Sequence, residues 1–141
     1  MLKEVLRNTL AAMAGAVTGI VVISLFQLFS ARLYPMPPGL NPADKAAMGE
    51  FIRTLPVGAL LIVLAGYLVG VFAGAWISAR LSLTHARRQA VMVAVLFAVA
   101  SLLNLMSFPH PAWFWAANFA VVFAGGWLAL KFLPGGRPGE N

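Results

Sequence analysis

Long stretches of the chain carry no charge, and the gaps between charges set its architecture. Thr9 to Phe29 is 21 residues without Asp, Glu, Lys or Arg, and Leu55 to Ile77 is 23. Gln89 to Leu130 is 42 such residues. About 20 residues cross a ~30 Å hydrocarbon core at 1.5 Å per residue, so the last run is too long for one crossing. Phe108-Pro109-His110-Pro111 divides it near its middle. Each proline lacks a backbone donor and restrains the residue before it, so two in three positions stop a helix. The pattern predicts four spans, at about 9–29, 55–77, 90–107 and 112–130, the last two joined by a tight hairpin. Bilayer interiors admit helices or closed barrels, and these runs lack the alternation of barrel strands. The expected fold is an all-α four-helix transmembrane bundle forming a single integral membrane domain over 1–141. The first run exceeds the usual apolar core of a cleaved leader, so it reads as a span.

The first long connection, 32–54, has its own pattern. Tyr34-Pro35-Met36-Pro37-Pro38-Gly39 is expected to be extended. Asn41-Pro42-Ala43-Asp44 reads as a helix start, with Asn at the cap and Pro at the first position. Met48, Phe51, Ile52 and Leu55 then recur at helical spacing. They predict a short amphipathic helix lying on the outer interface and feeding span two, with Pro56 as a kink at the junction.

Composition agrees with a membrane protein. Of 141 residues, 61% are apolar and 10% charged, against about 45–50% and about 25% in soluble domains. The absence of cysteine excludes disulfides, thiolate metal sites and thiol redox chemistry. The net charge of +6 bears on topology and anionic lipid rather than on nucleic acid. Lys3, Arg7, Arg80, Arg87, Arg88, Lys131 and Arg137 fall on one side of the four-span arrangement. Only Arg32, Lys45 and Arg53 fall on the other. The richer side is expected in the cytoplasm, which places both termini inside. Arg80, Arg87 and Arg88 are the expected topology and anionic-lipid contacts. Trp76 and Trp127 then mark the inner interface, and Tyr34, Trp113 and Trp115 the outer.

Small residues recur every fourth position, a glycine-zipper pattern. Span two carries Gly66, Gly70, Gly74 and Ser78, and span one carries Ala11, Gly15 and Gly19. Span four carries Ala116, Ala120 and Ala124, with Gly125 and Gly126 alongside. Residues four apart share a helix face, and small ones there let backbones approach closely. These stripes are expected to pack helices within the bundle or to join copies of the chain.

The spans contain no acid or base. A proton-coupled exporter needs an embedded carboxylate, and a charged-ring channel needs its ring. His85 and His110 fall at opposite membrane faces, so neither a bis-histidine haem nor a metallohydrolase site is expected. Ser107 lies near His110 in sequence, but no third group completes a catalytic constellation. The neutral polar residues remain. Asn104 and Asn118 lie at similar distances on either side of the hairpin, and Gln27 lies at comparable depth in span one. Converging under Trp113 and Trp115, these amides would either bond between helices or head a site for an amphiphile. Tyr67, mid-span beside the glycine stripe, is a further candidate ligand.

From Leu55-Pro56 through Ser78-Ala79-Arg80, and across Phe108-Pro109-His110-Pro111-Ala112-Trp113-Phe114-Trp115, the chain resembles a family of small bacterial integral membrane proteins. These have four helices, a Pro-rich outer loop, a glycine-striped second span and a Pro-x-Pro-x-Trp-Phe hairpin. The resemblance covers most of the chain and implies a bacterial cytoplasmic (inner) membrane. It brings no activity, cofactor or catalytic residue. A position in span four that is often acidic or small in similar sequences is Asn118 here, so an acid-dependent role does not transfer.

The expected function is that of a multi-pass membrane component without catalytic chemistry, a structural or accessory subunit. The alternative is a binder or carrier of a small lipid- or quinone-like amphiphile through the outer-leaflet amide–aromatic cluster. No cofactor or metal is expected. The expected partners are membrane lipids and either a second copy or a larger membrane complex, not nucleic acid.

Overall fold

A computed structural model describes residues 1–133, and all regular structure in them is helical. The five helices are α1 (Leu2–Leu33), α2 (Lys45–Thr54), α3 (Val57–Leu81), α4 (Ala86–Ser107) and α5 (Ala112–Lys131). All but α2 are long and apolar enough to cross a membrane, which makes this a multi-pass helical membrane protein.

Helix ends follow the punctuation of the sequence, with informative departures. Nothing breaks the chain on either side of the first apolar run until Tyr34-Pro35. Thus α1 covers 32 residues rather than the expected 21. That is roughly 48 Å, longer than the ~30 Å core, so its charged ends project beyond the apolar layer. The polar turn Ala86-Arg87-Arg88-Gln89 is likewise helical, and α4 begins four residues before the expected boundary. Pro56 does not kink a continuous helix. Leu55 ends α2 and Pro56 caps α3, both with extended backbone, because proline cannot donate into a preceding turn.

The start of α2 also moves. Asp44, not Asn41, is its cap, and the carboxylate accepts from the N–H groups of Ala46 at 3.0 Å and Ala47 at 3.1 Å. Asn41 instead accepts from the N–H of Ala43 and closes the turn before it. Gly49, the one buried residue of α2, presses on Pro109. A Cβ there would fall 2.7 Å from the Pro109 Cδ. The short helix therefore sits against the α4–α5 hairpin.

Helix α3 is the axis of the bundle. It packs against α1, α4 and α5, whereas α1 rests almost wholly on α3. The α1–α3 seam is built from glycine. A Cβ on Gly74 would stand 2.7 Å from the carbonyl oxygen of Gly15, and one on Gly70 would stand 2.9 Å from that of Gly19. Neither approach leaves room for a side chain. Gly66 meets Phe26, and the ring of Phe97 from α4 reaches between Gly19 and Gly74. The expected alanine stripe of α5 is not a packing face. Ala116 and Ala120 are exposed, and the buried side of α5 carries Phe114, Asn118, Val122, Gly125, Gly126 and Ala129. The bulky residues fill the α3–α4 groove, while Gly125 admits backbone contact, against Leu68 and Phe72.

The core changes character along the bundle. At the hairpin end it is Leu60, Leu64, Leu105 and Phe114. Tyr67, Val71, Val93, Phe97 and Val122 fill the middle. At the opposite end the buried hydrophobic residues are alanines, Ala75, Ala79, Ala90 and Ala129, with Phe72, Trp76 and Leu130 half-buried against them. The end with small side chains holds the helices close, and polar groups fasten it. Asn8 donates to the Thr84 hydroxyl and accepts from the N–H of Leu83, and Arg7 Nε donates to the Leu81 carbonyl. Trp76 Nε1 donates to the Phe132 carbonyl. The start of α1, the α3–α4 turn and the end of α5 thus share one end of the molecule. Lys3, Arg7, Arg80, Arg87, Arg88 and Lys131 gather there, and Arg32, Lys45 and Arg53 lie at the other end.

Leucine at Gly70 or Gly74 is expected to force α1 off α3. Overpacking costs typically 1–3 kcal/mol, and contact with backbone rather than a flexible side chain belongs at the upper end. The exposed Val69→Leu on the same helix should change stability by less than about 0.5 kcal/mol. Thermal unfolding of the three variants in one mild detergent checks the contrast; equal midpoints would show that the seam does not hold the helices together.

Candidate functional site

Four polar residues of the spans meet in two pairs where α3, α4 and α5 adjoin. Ser101 and Asn104 are one turn apart on α4, so they share a face. Asn104 Nδ2 donates to the Tyr67 hydroxyl of α3 at 2.9 Å. Asn118 Nδ2 of α5 donates to the hydroxyl of Ser101. The two amides therefore do not staple to each other, as their matched positions about the hairpin suggest. Each takes a hydroxyl partner on a neighbouring helix instead. Ser101 and Asn118 are buried completely or nearly so, and Tyr67 is 7% exposed. Among the described residues the Asn118 Oδ1 is buried without a hydrogen-bond partner.

The other expected members stand apart. Gln27 is exposed on α1, away from α4 and α5. Trp113 is 40% exposed and meets Phe114 edge-on. Trp115 is half-buried against the Leu60, Leu64, Leu105 and Phe114 cluster. Among the three expected amides and two tryptophans, then, only Asn104 and Asn118 join the polar cluster, together with Tyr67.

The hairpin residues with chemical potential turn to their own backbone. The Ser107 hydroxyl donates to the Leu103 carbonyl at 2.8 Å. His110 Nδ1 lies 2.8 Å from the Phe108 carbonyl and donates to it. The ring stacks on Phe114 at 4.9 Å. Burial lowers the His110 pKa from its ordinary value, against a smaller opposing effect of the Phe108 carbonyl. Burial thus favours the neutral ring. Among the described residues no three His, Asp or Glu side chains come together.

Two fastenings escape a reading of the spans alone. Asn8 precedes the first uncharged run and has no periodic partner to announce it. Its partners Leu83 and Thr84 lie 75 and 76 residues on. Ser30 donates to the Ala59 carbonyl and ties α1 to the first turns of α3. Ser78 is fully buried opposite Gly15, with no partner for its hydroxyl among the described residues. Its place at the end of the glycine stripe is the signal that puts it there.

No protein-family profile, curated protein or solved structure matches this chain.

The two pairs should behave as separate units in double-mutant cycles. Tyr67→Phe with Asn104→Leu, and Ser101→Ala with Asn118→Leu, should each show a coupling of about 0.6 kcal/mol, the average for interhelical hydrogen bonds. Asn104→Leu with Asn118→Leu should be closer to additive. Detergent unfolding of the single and double variants measures all three; a stronger coupling between the two asparagines would mean that they pair directly.

Proposed function

We propose that the chain is a non-catalytic membrane component, a structural or accessory subunit of a larger membrane assembly or of a homo-oligomer. The observation that carries this reading is the pairing of Asn104 with Tyr67 and of Asn118 with Ser101. Polar groups in a bilayer interior are costly unless satisfied, and where they serve transport or catalysis they face a substrate or a water path. Here these four are spent on one another, and the outward faces of α1, α4 and α5 are mostly apolar. Such a bundle offers neighbours a surface rather than a reaction. The opposed glycines of α1 and α3 act as an intramolecular glycine zipper in this reading. The amphiphile-binding alternative retains one unsatisfied polar atom, the Asn118 Oδ1.

The assembly sits in a bacterial cytoplasmic membrane, with both termini and the α3–α4 turn inside and α2 on the outer interface. The grouping of Lys and Arg by end supports the orientation. Because the chain has no cysteine, single cysteines at Gly39 and Leu83, both exposed, give a clean test. In intact cells an impermeant maleimide should label the first and not the second. The reverse pattern would invert the topology.

The subunit reading is tested by gentle solubilisation of membranes that hold the tagged chain at its natural abundance, followed by native mass spectrometry. A complex of defined stoichiometry, with a second protein or a second copy, is the expected result. A 15.0 kDa monomer carrying one small amphiphile, lost in Asn118→Leu, would overturn it in favour of the carrier.

A further inference from the structure

Between α4 and α5, on the side turned away from α3, runs an apolar groove of about 480 Å³. Its narrow floor is set by Gly126 against Ala94, where a Cβ on the glycine would meet the alanine methyl at 3.0 Å. Phe119, Phe123 and Trp127 form the α5 wall, and Val91 and Val95 the α4 wall. These five are all exposed, so the groove opens to the surroundings of the bundle.

Its length selects the occupant. The lining runs from Phe119 to Leu130 on α5, roughly 16 Å at 1.5 Å per residue. That is about half of a ~30 Å hydrocarbon core, the depth of one leaflet. A transmembrane helix would need a seam through both leaflets. A single hydrocarbon chain entering from one surface fits that length.

The mouth of the groove carries positive charge. Val91 lies in the first turns of α4 and Leu130 in the last of α5, so the groove reaches the end where the cations gather. Arg87 is one turn before Val91 on the same helix face, with Arg88 beside it, and both are exposed. Lys131 Nζ stands 5.0 Å over the ring of Trp127, a groove wall. The positive end of the α4 dipole points to the same place. The ion pairs among the described residues are Met1 with Glu4 and Arg53 with Glu50, so none occupies these three cations.

We infer that the α4–α5 groove is a binding site for one anionic phospholipid, with an acyl chain between Val95 and Phe123 and the phosphate held by Arg87, Arg88 and Lys131. The site is separate from the Asn118 cluster and does not depend on the subunit reading.

The test is native mass spectrometry of the protein in mild detergent with equal amounts of phosphatidylglycerol and phosphatidylcholine. The wild type should retain one phosphatidylglycerol with roughly tenfold preference, the scale set by one or two juxtamembrane cations. The preference should weaken as salt rises. Arg87→Gln with Lys131→Gln should bring the preference close to unity, whereas Arg32→Gln with Arg53→Gln at the other end should leave it unchanged. Ala98→Phe, which fills the groove and spares the charges, should remove the retained lipid, and Val95→Trp should do the same from the exposed wall. Elution volume and helical circular dichroism report whether each variant is folded. Equal retention of the two lipids by the wild type would overturn the site. So would a preference that survives loss of Arg87 and Lys131, or full retention in both groove-filling variants. Phosphatidylglycerol displaced by inorganic phosphate alone would reduce the site to an anion contact. A dimer abolished by Val95→Trp would assign the groove to a second copy instead.

Discussion

The closeness of two backbones, α1 and α3, is the constraint on which the bundle depends. In lipid no hydrophobic force drives helices together, since the surroundings are as apolar as the side chains. What remains is contact itself, and contact between helices is densest where no side chain intervenes. Gly15 and Gly19 face Gly74 and Gly70 with carbonyl oxygens where side chains would otherwise begin. Because α1 has little other support, its attachment rests on this seam, on Ser30 and on the Asn8–Arg7 clasp at the α3–α4 turn.

From this seam the rest of the architecture follows. With α1 committed to one face of α3, the other faces are left for α4 and α5, which approach each other closely at Gly126 and Ala94. The gradient from leucine and phenylalanine at the hairpin to alanine at the opposite end leaves the wide end to be closed by bulk. The α2–Pro109 contact covers the hairpin from above. The narrow end is closed by hydrogen bonds to exposed backbone, where water competes and geometry must hold.

Much of this was legible in the sequence because the bilayer is a severe selector. Uncharged runs, a Pro-x-Pro break and a four-residue spacing of glycine each have few structural readings. The boundaries were less legible: helical hydrogen bonding continues until something stops it, so α1 ran on to Tyr34-Pro35 and α4 began at Ala86. Asn41 and Asp44 both precede α2 as competent caps, and only the geometry chooses between them. The polar cluster was half visible. Depth placed Asn104 and Asn118 at similar levels, but depth does not report rotation about the helix axis. Rotation gave Asn104 to Tyr67 and Asn118 to Ser101, and turned Gln27 outward. The alanine stripe of α5 failed for the same reason: alanine is small enough to pack and apolar enough to face lipid, so its spacing does not choose.

The emptiness of the spans of formal charge has an electrical meaning. Moving one elementary charge through a membrane potential changes the free energy by about 2.3 kcal/mol per 100 mV. Between Thr9 and Phe29, Leu55 and Ile77, and Gln89 and Leu130, there is no Asp, Glu, Lys or Arg to be moved. The interior of this bundle offers the field almost no lever. Whatever rearrangement its helices undergo proceeds with nearly the same equilibrium in an energised cell as in a depolarised one.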